Sequence, residues 1–104
     1  MEKQELSCFD TKYVLLESDI IMMLDLLYCT SARIKAKDID IVYTYMGFVK
    51  CIARDWCKFN AITILQYKYI ETLINNCFYA YRRDSYDDCL IYLYKIRNYV
   101  SGLV

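Results

Sequence analysis

The chain contains no proline, no histidine and only two glycines, Gly47 and Gly102. Turns draw on glycine and proline, and an all-β sandwich needs many of them, so long helices joined by short loops are expected instead. Without histidine the commonest general acid–base residue is missing, and the usual mixed Cys/His zinc sites cannot be assembled. Two distant glycines cannot build a phosphate-cradling loop. Charge surplus is lacking too: 13 Lys and Arg meet 13 Asp and Glu, with no long run of one sign. Nucleic-acid binding rests on cations facing phosphates, so a dedicated nucleic-acid-binding domain is disfavoured. No long apolar run is free of charge. Glu17, Asp19 and Asp25 interrupt the stretch from Tyr13 to Cys29, and Lys68, Glu71, Asn75 and Asn76 interrupt that from Phe59 to Tyr81, so no membrane span is expected.

What is present points to one domain with its own core, residues 1–104, of which 58% are apolar and 25% charged. Six cysteines (Cys8, Cys29, Cys51, Cys57, Cys77 and Cys89) form no CxxC pair. The N-terminus, Met1 to Leu6, is charged and lacks the apolar run of a signal peptide. These features read as a reducing, cytoplasmic setting with the cysteines as small buried hydrophobes; disulfides in a secreted or hyperthermophilic protein are the alternative. The abundance of Ile, Tyr, Lys and Phe matches codons of AT-rich genomes, which low-GC bacteria, their phages and some large DNA viruses share. That is a lineage type and not a function.

Periodicity places four helices, at roughly 11–29, 38–58, 61–81 and 86–100, in an all-α antiparallel four-helix bundle. Residues 1–8 are polar and expected to fray, and Asp10 or Thr11 is expected to cap the first helix. Its core face is Tyr13, Leu16, Ile20, Met23, Leu24 and Leu27; Leu15, Met22, Leu26 and Cys29 form a second apolar stripe opposite. Thr30 to Lys37 reads as a connection with basic residues complementing the helix dipole. Asp38 is the expected cap of the second helix, whose inner stripe is Ile39, Val42, Met46, Val49, Ala53 and Trp56, with Gly47 facing out. Asn60 is the expected cap of the third helix. That helix is apolar over more than half its circumference, which predicts a central position against several neighbours. Ser85-Tyr86-Asp87-Asp88 reads as a capping box opening the fourth helix, with Tyr86, Cys89, Leu93, Ile96 and Val100 inward, Ile91 and Tyr94 outward, and Gly102 as the stop.

The stretch from Ala80 to Leu93 resembles a tetratricopeptide junction, in which one helix ends and a Tyr-acid-acid-small-Leu run opens the next. The remaining signature positions depart from that pattern, and 104 residues leave room for at most three repeats. A single bundle therefore remains the expectation.

No residue set carries catalysis, and no cofactor or metal is expected. Cys57 beside Lys58 is the nearest approach to an activated thiol, and the placement of Asp84, Asp87 and Asp88 at a helix start explains them without a cation. Arg82 and Arg83 read as solvated charges, or as contacts to a phosphate or an acidic partner. The sharper signal is apolar surface beyond what one core needs: Leu15, Met22 and Leu26 on the first helix, and Ile91 and Tyr94 on the fourth. Tyrosine, at 12 residues, is a favoured interface anchor. The expected function is a small non-enzymatic protein–protein interaction module that binds another protein or itself as a homo-oligomer. A phage or viral inhibitor of a host defence factor, acting in the host cytoplasm, suits the composition. The alternatives are a bacterial immunity or adaptor protein, and an enzyme or nucleic-acid binder using Arg82, Arg83 and the Asp84–Asp88 cluster.

Overall fold

In the computed structural model, which describes residues 14–103, the first helix opens later than its apolar pattern suggests. Residues 14–16 lie ahead of the helix, with Leu16 in extended backbone (φ −98°, ψ 159°), and α1 spans Glu17–Lys35. Successive side chains of an extended segment point to opposite sides, so Leu15 turns inward at 9% exposure while Val14 and Leu16 face solvent. This reverses the expected roles: Leu15 belongs to the core and not to an outer stripe, and Leu16 is exposed. The Asp19 carboxylate accepts the Leu16 N–H at 2.9 Å, satisfying one free donor at the helix start. The expected caps Asp10 and Thr11, the frayed residues 1–8 and Tyr13 lie outside the described residues.

The remaining helices are α2 (Ile39–Lys58), α3 (Ile64–Arg82) and α4 (Tyr86–Ser101). Thus α1 runs six residues past Cys29, through a segment expected to be a connection. Thr30 and Ser31 donate their hydroxyls to the Leu26 and Leu27 carbonyls at 2.8 and 3.0 Å, which accommodates these loop-prone residues in a helix. Thr30 and Ile34, both fully buried, extend the stripe of Met23 and Leu27 at helical spacing.

All three turns between helices close in one way. Lys37, Asn60 and Asp84 hold φ of 58°, 63° and 60°, the left-handed conformation that commonly ends helices. In each case two hydrogen bonds satisfy the last carbonyls. They run from Lys37 and Asp38 to Ile34 and Arg33, from Asn60 and Ala61 to Cys57 and Trp56, and from Asp84 and Ser85 to Tyr81 and Ala80, at 2.7–3.1 Å. Asn60 therefore ends α2 and does not cap α3. That cap is Thr63: its hydroxyl accepts the Gln66 N–H at 3.1 Å, and the Gln66 side chain accepts the Thr63 N–H at 2.8 Å. Asp38 and Ser85 occupy the expected N-cap positions of α2 and α4, but neither side chain makes a capping hydrogen bond. Asp38 instead faces Arg33 at 3.9 Å. Gly102 follows α4 with φ −89°, without using the freedom of a glycine.

The four helices form a ring in which α1 packs on α2, α2 on α3, α3 on α4 and α4 back on α1, while the diagonal pairs stay apart. This is the expected all-α bundle with antiparallel neighbours. Its core is built from Met23, Leu27, Val42, Met46, Val49, Ile70, Ile74, Ile96 and Val100, all nearly or fully buried, with Trp56 and Leu93 beside them. α3 is not central: it has two neighbours, as every helix in the ring does. A helix with two neighbours cannot bury an apolar arc wider than half a turn, so Leu65 stays 79% exposed, and Tyr69 and Tyr79 also reach solvent. No described helix is long and apolar enough to cross a membrane.

Candidate functional site

Where α1 meets α4 the bundle surface opens into a groove of about 230 Å³ lined by Leu27, Tyr28, Ser31, Lys35, Leu90, Leu93, Tyr94 and Arg97. Its floor is apolar because Leu27 and Leu93 are core residues and Leu90 packs against the core. Its walls are aromatic: Tyr28 is 71% exposed and Tyr94 57%. Tyr28 follows Ile21 by seven residues and Ile91 precedes Tyr94 by three, so each pair shares a strip of its helix, and Ile21 and Ile91 are likewise exposed. The Arg97 guanidinium lies 5.6 Å from the centre of the Tyr94 ring. Lys35 and Arg97 bring two cations to the lining, and no carboxylate is among its residues.

The sequence-level candidates divide across this geometry. Tyr94 lines the groove and Ile91 flanks it; Leu15 is core; Leu26 is half-buried and packs on the core. Met22 is exposed, 100° around the helix from Ile21 and on the flank it shares with Leu26 and Cys29. The expected stripe of α1 is therefore not one surface. Tyr28, Lys35 and Arg97 were not expected there, although Ile21, Tyr28 and Lys35 fall at a strict spacing of seven along α1. Arg82 and Arg83 are exposed at the end of α3, with the Arg83 guanidinium 4.8 Å from the Tyr79 ring centre.

Elsewhere the chemistry is that of a folded core. Cys77 and Cys89 are fully buried where α3 meets α4, each thiol donating to the other's carbonyl oxygen at 3.6 and 3.4 Å. Burial pushes both thiols above their ordinary value, which keeps them protonated and poorly nucleophilic. Cys29 and Cys51 are exposed, and Cys57 is half-buried. Burial likewise raises Tyr67, whose hydroxyl donates to Glu71 at 3.2 Å, and Tyr81. Tyr86 is raised by its hydrogen bond to Asp84 at 3.0 Å. Among the described residues no three Cys, Asp or Glu gather where they could hold a metal ion, and Asp84, Asp87 and Asp88 form no such group. A second concavity, at the α2–α3 turn, is lined by Asn60, Ala61, Ile62, Thr63 and Gln66, with no charged group. No family model, curated protein or solved structure matches this chain.

Proposed function

We propose that this chain is a small non-enzymatic interaction module that docks onto a partner protein through its α1/α4 face. One observation carries the reading: Tyr28 and Tyr94 stand exposed on either side of a groove floored by Leu27, Leu90 and Leu93. Tyrosine anchors beside a concave apolar floor are what interface hot spots are made of, because the ring is large, rigid and able to hydrogen-bond. In a phage or viral setting, which the AT-rich composition allows alongside a bacterial one, the partner would be a host factor bound and inhibited in the host cytoplasm.

The test is affinity capture with the wild type and three folded variants, checked by circular dichroism. Tyr94→Glu should lose a partner that Met22→Glu, on the other flank of α1, retains. Arg82→Ala should retain it as well. A partner lost with Arg82→Ala but kept by Tyr94→Glu would move the site to the end of α3. Identical capture by all variants would refute the α1/α4 reading.

A further inference from the structure

We propose that the α1/α4 groove receives an acidic segment of the partner protein, with an apolar side chain on the leucine floor and a carboxylate held by Lys35 and Arg97. This rests on the docking role given to that groove above. The lining holds three leucines, two tyrosines, a serine and two cations, but no acid. In a chain whose charges balance at 13 against 13, that is a local excess of positive charge over apolar surface. The ion pairs of the described residues are Arg33 with Asp38, Lys50 with Glu71 and Lys68 with Glu71. Lys35 and Arg97 take part in none of these pairs. Tyr94 supports the Arg97 guanidinium at 5.6 Å, and a guanidinium so placed offers its planar fork to a carboxylate.

Size and charge select among occupants. At about 230 Å³ the groove is smaller than the roughly 300–1,000 Å³ of small-molecule and cofactor sites, and suits one or two side chains of a docked segment. Two cations over leucine do not make a phosphate track, which needs a longer run of positive charge.

The test is selection of a random twelve-residue peptide display library against the full chain, followed by affinity measurement on variants. Recovered peptides should place Asp or Glu beside Leu, Ile, Phe or Trp. Their binding should fall about tenfold or more with Arg97→Glu, the scale of one charge-assisted hydrogen bond. Changing their acids to Lys should restore binding to Arg97→Glu. Lys35→Glu, at an exposed position, gives the same reading should Arg97→Glu misfold. Peptides without acidic bias, equally bound by wild type and Arg97→Glu but lost with Tyr94→Glu, would overturn the acidic occupant and leave the docking face standing. Peptides indifferent to Tyr94→Glu, or no recovered peptide, would overturn both. Tighter binding of a single-stranded oligonucleotide that depends on Arg97 would overturn the proposal in favour of nucleic acid.

Discussion

Lys37 offers the sharpest test of how this chain turns its corners. At φ 58° its Cβ crowds the following carbonyl, which costs an ordinary residue about 1–2 kcal/mol. Asn60 and Asp84 carry short polar side chains that tolerate this conformation; Lys37 does not. Its ammonium also lies 5.5 Å from the Tyr86 ring centre, an exposed contact of about 0.5–1 kcal/mol. Comparing Lys37→Gly with Lys37→Ala separates the two effects, because both remove the ring contact and only glycine relieves the crowding. Against that relief stands the greater freedom of glycine in the unfolded chain, about 0.5–1 kcal/mol. The glycine variant should therefore exceed the alanine variant by about 0.5–1 kcal/mol, or roughly 2–8 °C in Tm for a domain of this size. Urea and thermal melts followed by circular dichroism at helical wavelengths read the difference directly. Ala36, with φ −83° and ψ −6°, is the control: there glycine should lose up to about 1 kcal/mol. An alanine variant at position 37 as stable as the glycine variant would show that Lys37 is not left-handed in solution.

Tyr81 has a buried hydroxyl with no protein partner, while its ring makes edge contacts with Tyr43 and Tyr86. Tyr81→Phe should raise stability by about 1 kcal/mol in denaturant melts, since an unsatisfied buried group costs about 1–3 kcal/mol; a loss of similar size would refute this. Because burial raises the Cys77 and Cys89 thiols, the folded state holds those protons more tightly than the unfolded one. Their contribution is complete below the ordinary thiol value and is lost as pH rises, so stability should be flat near neutrality and fall progressively from roughly pH 8.5 upward. Urea melts across that range should show a shallower fall for Cys77→Ala, and an unchanged slope would count against the buried pair. A Cβ built at Gly47 meets nothing within 4 Å, so Gly47→Ala should stabilise α2 by about 1 kcal/mol, or roughly 4–8 °C in Tm. A lower Tm would place hidden packing at that face.

The long amphipathic helices were legible because their core stripes keep one period: Val42, Met46, Val49, Ala53 and Trp56 on α2, and Cys89, Leu93, Ile96 and Val100 on α4, are all buried, whereas Ile39, expected at the head of the α2 stripe, is exposed and Tyr86, at the head of the α4 stripe, is half-buried. Legibility failed at the ends, where local chemistry offers near-equal choices. Asn60 and Thr63 both suit a helix start, and only Thr63 has a glutamine three residues on that reaches back. Thr30 and Ser31 read as loop residues until Ile34 gives α1 a reason to continue into the core. The site was half legible for a related reason. Periodicity shows that Ile91 and Tyr94 face away from the α4 stripe. It does not show which flank of α1 meets α4, and that choice brings Tyr28 and Lys35 into the groove and leaves Met22 out.

The contact between α1 and α4 differs in kind from the other three. Each of those joins helices consecutive in the chain and linked by a short turn; this one joins the first and last described helices and closes the ring. It is the long-range step of assembly, spanning nearly the whole chain, and loop-closure entropy makes such a step the slow and costly one. The groove therefore lies along the seam of the barrel of helices. An occupant seated there would act as a clasp between the two ends of the fold. Amide exchange by local opening along α1 and α4 should slow most when it binds.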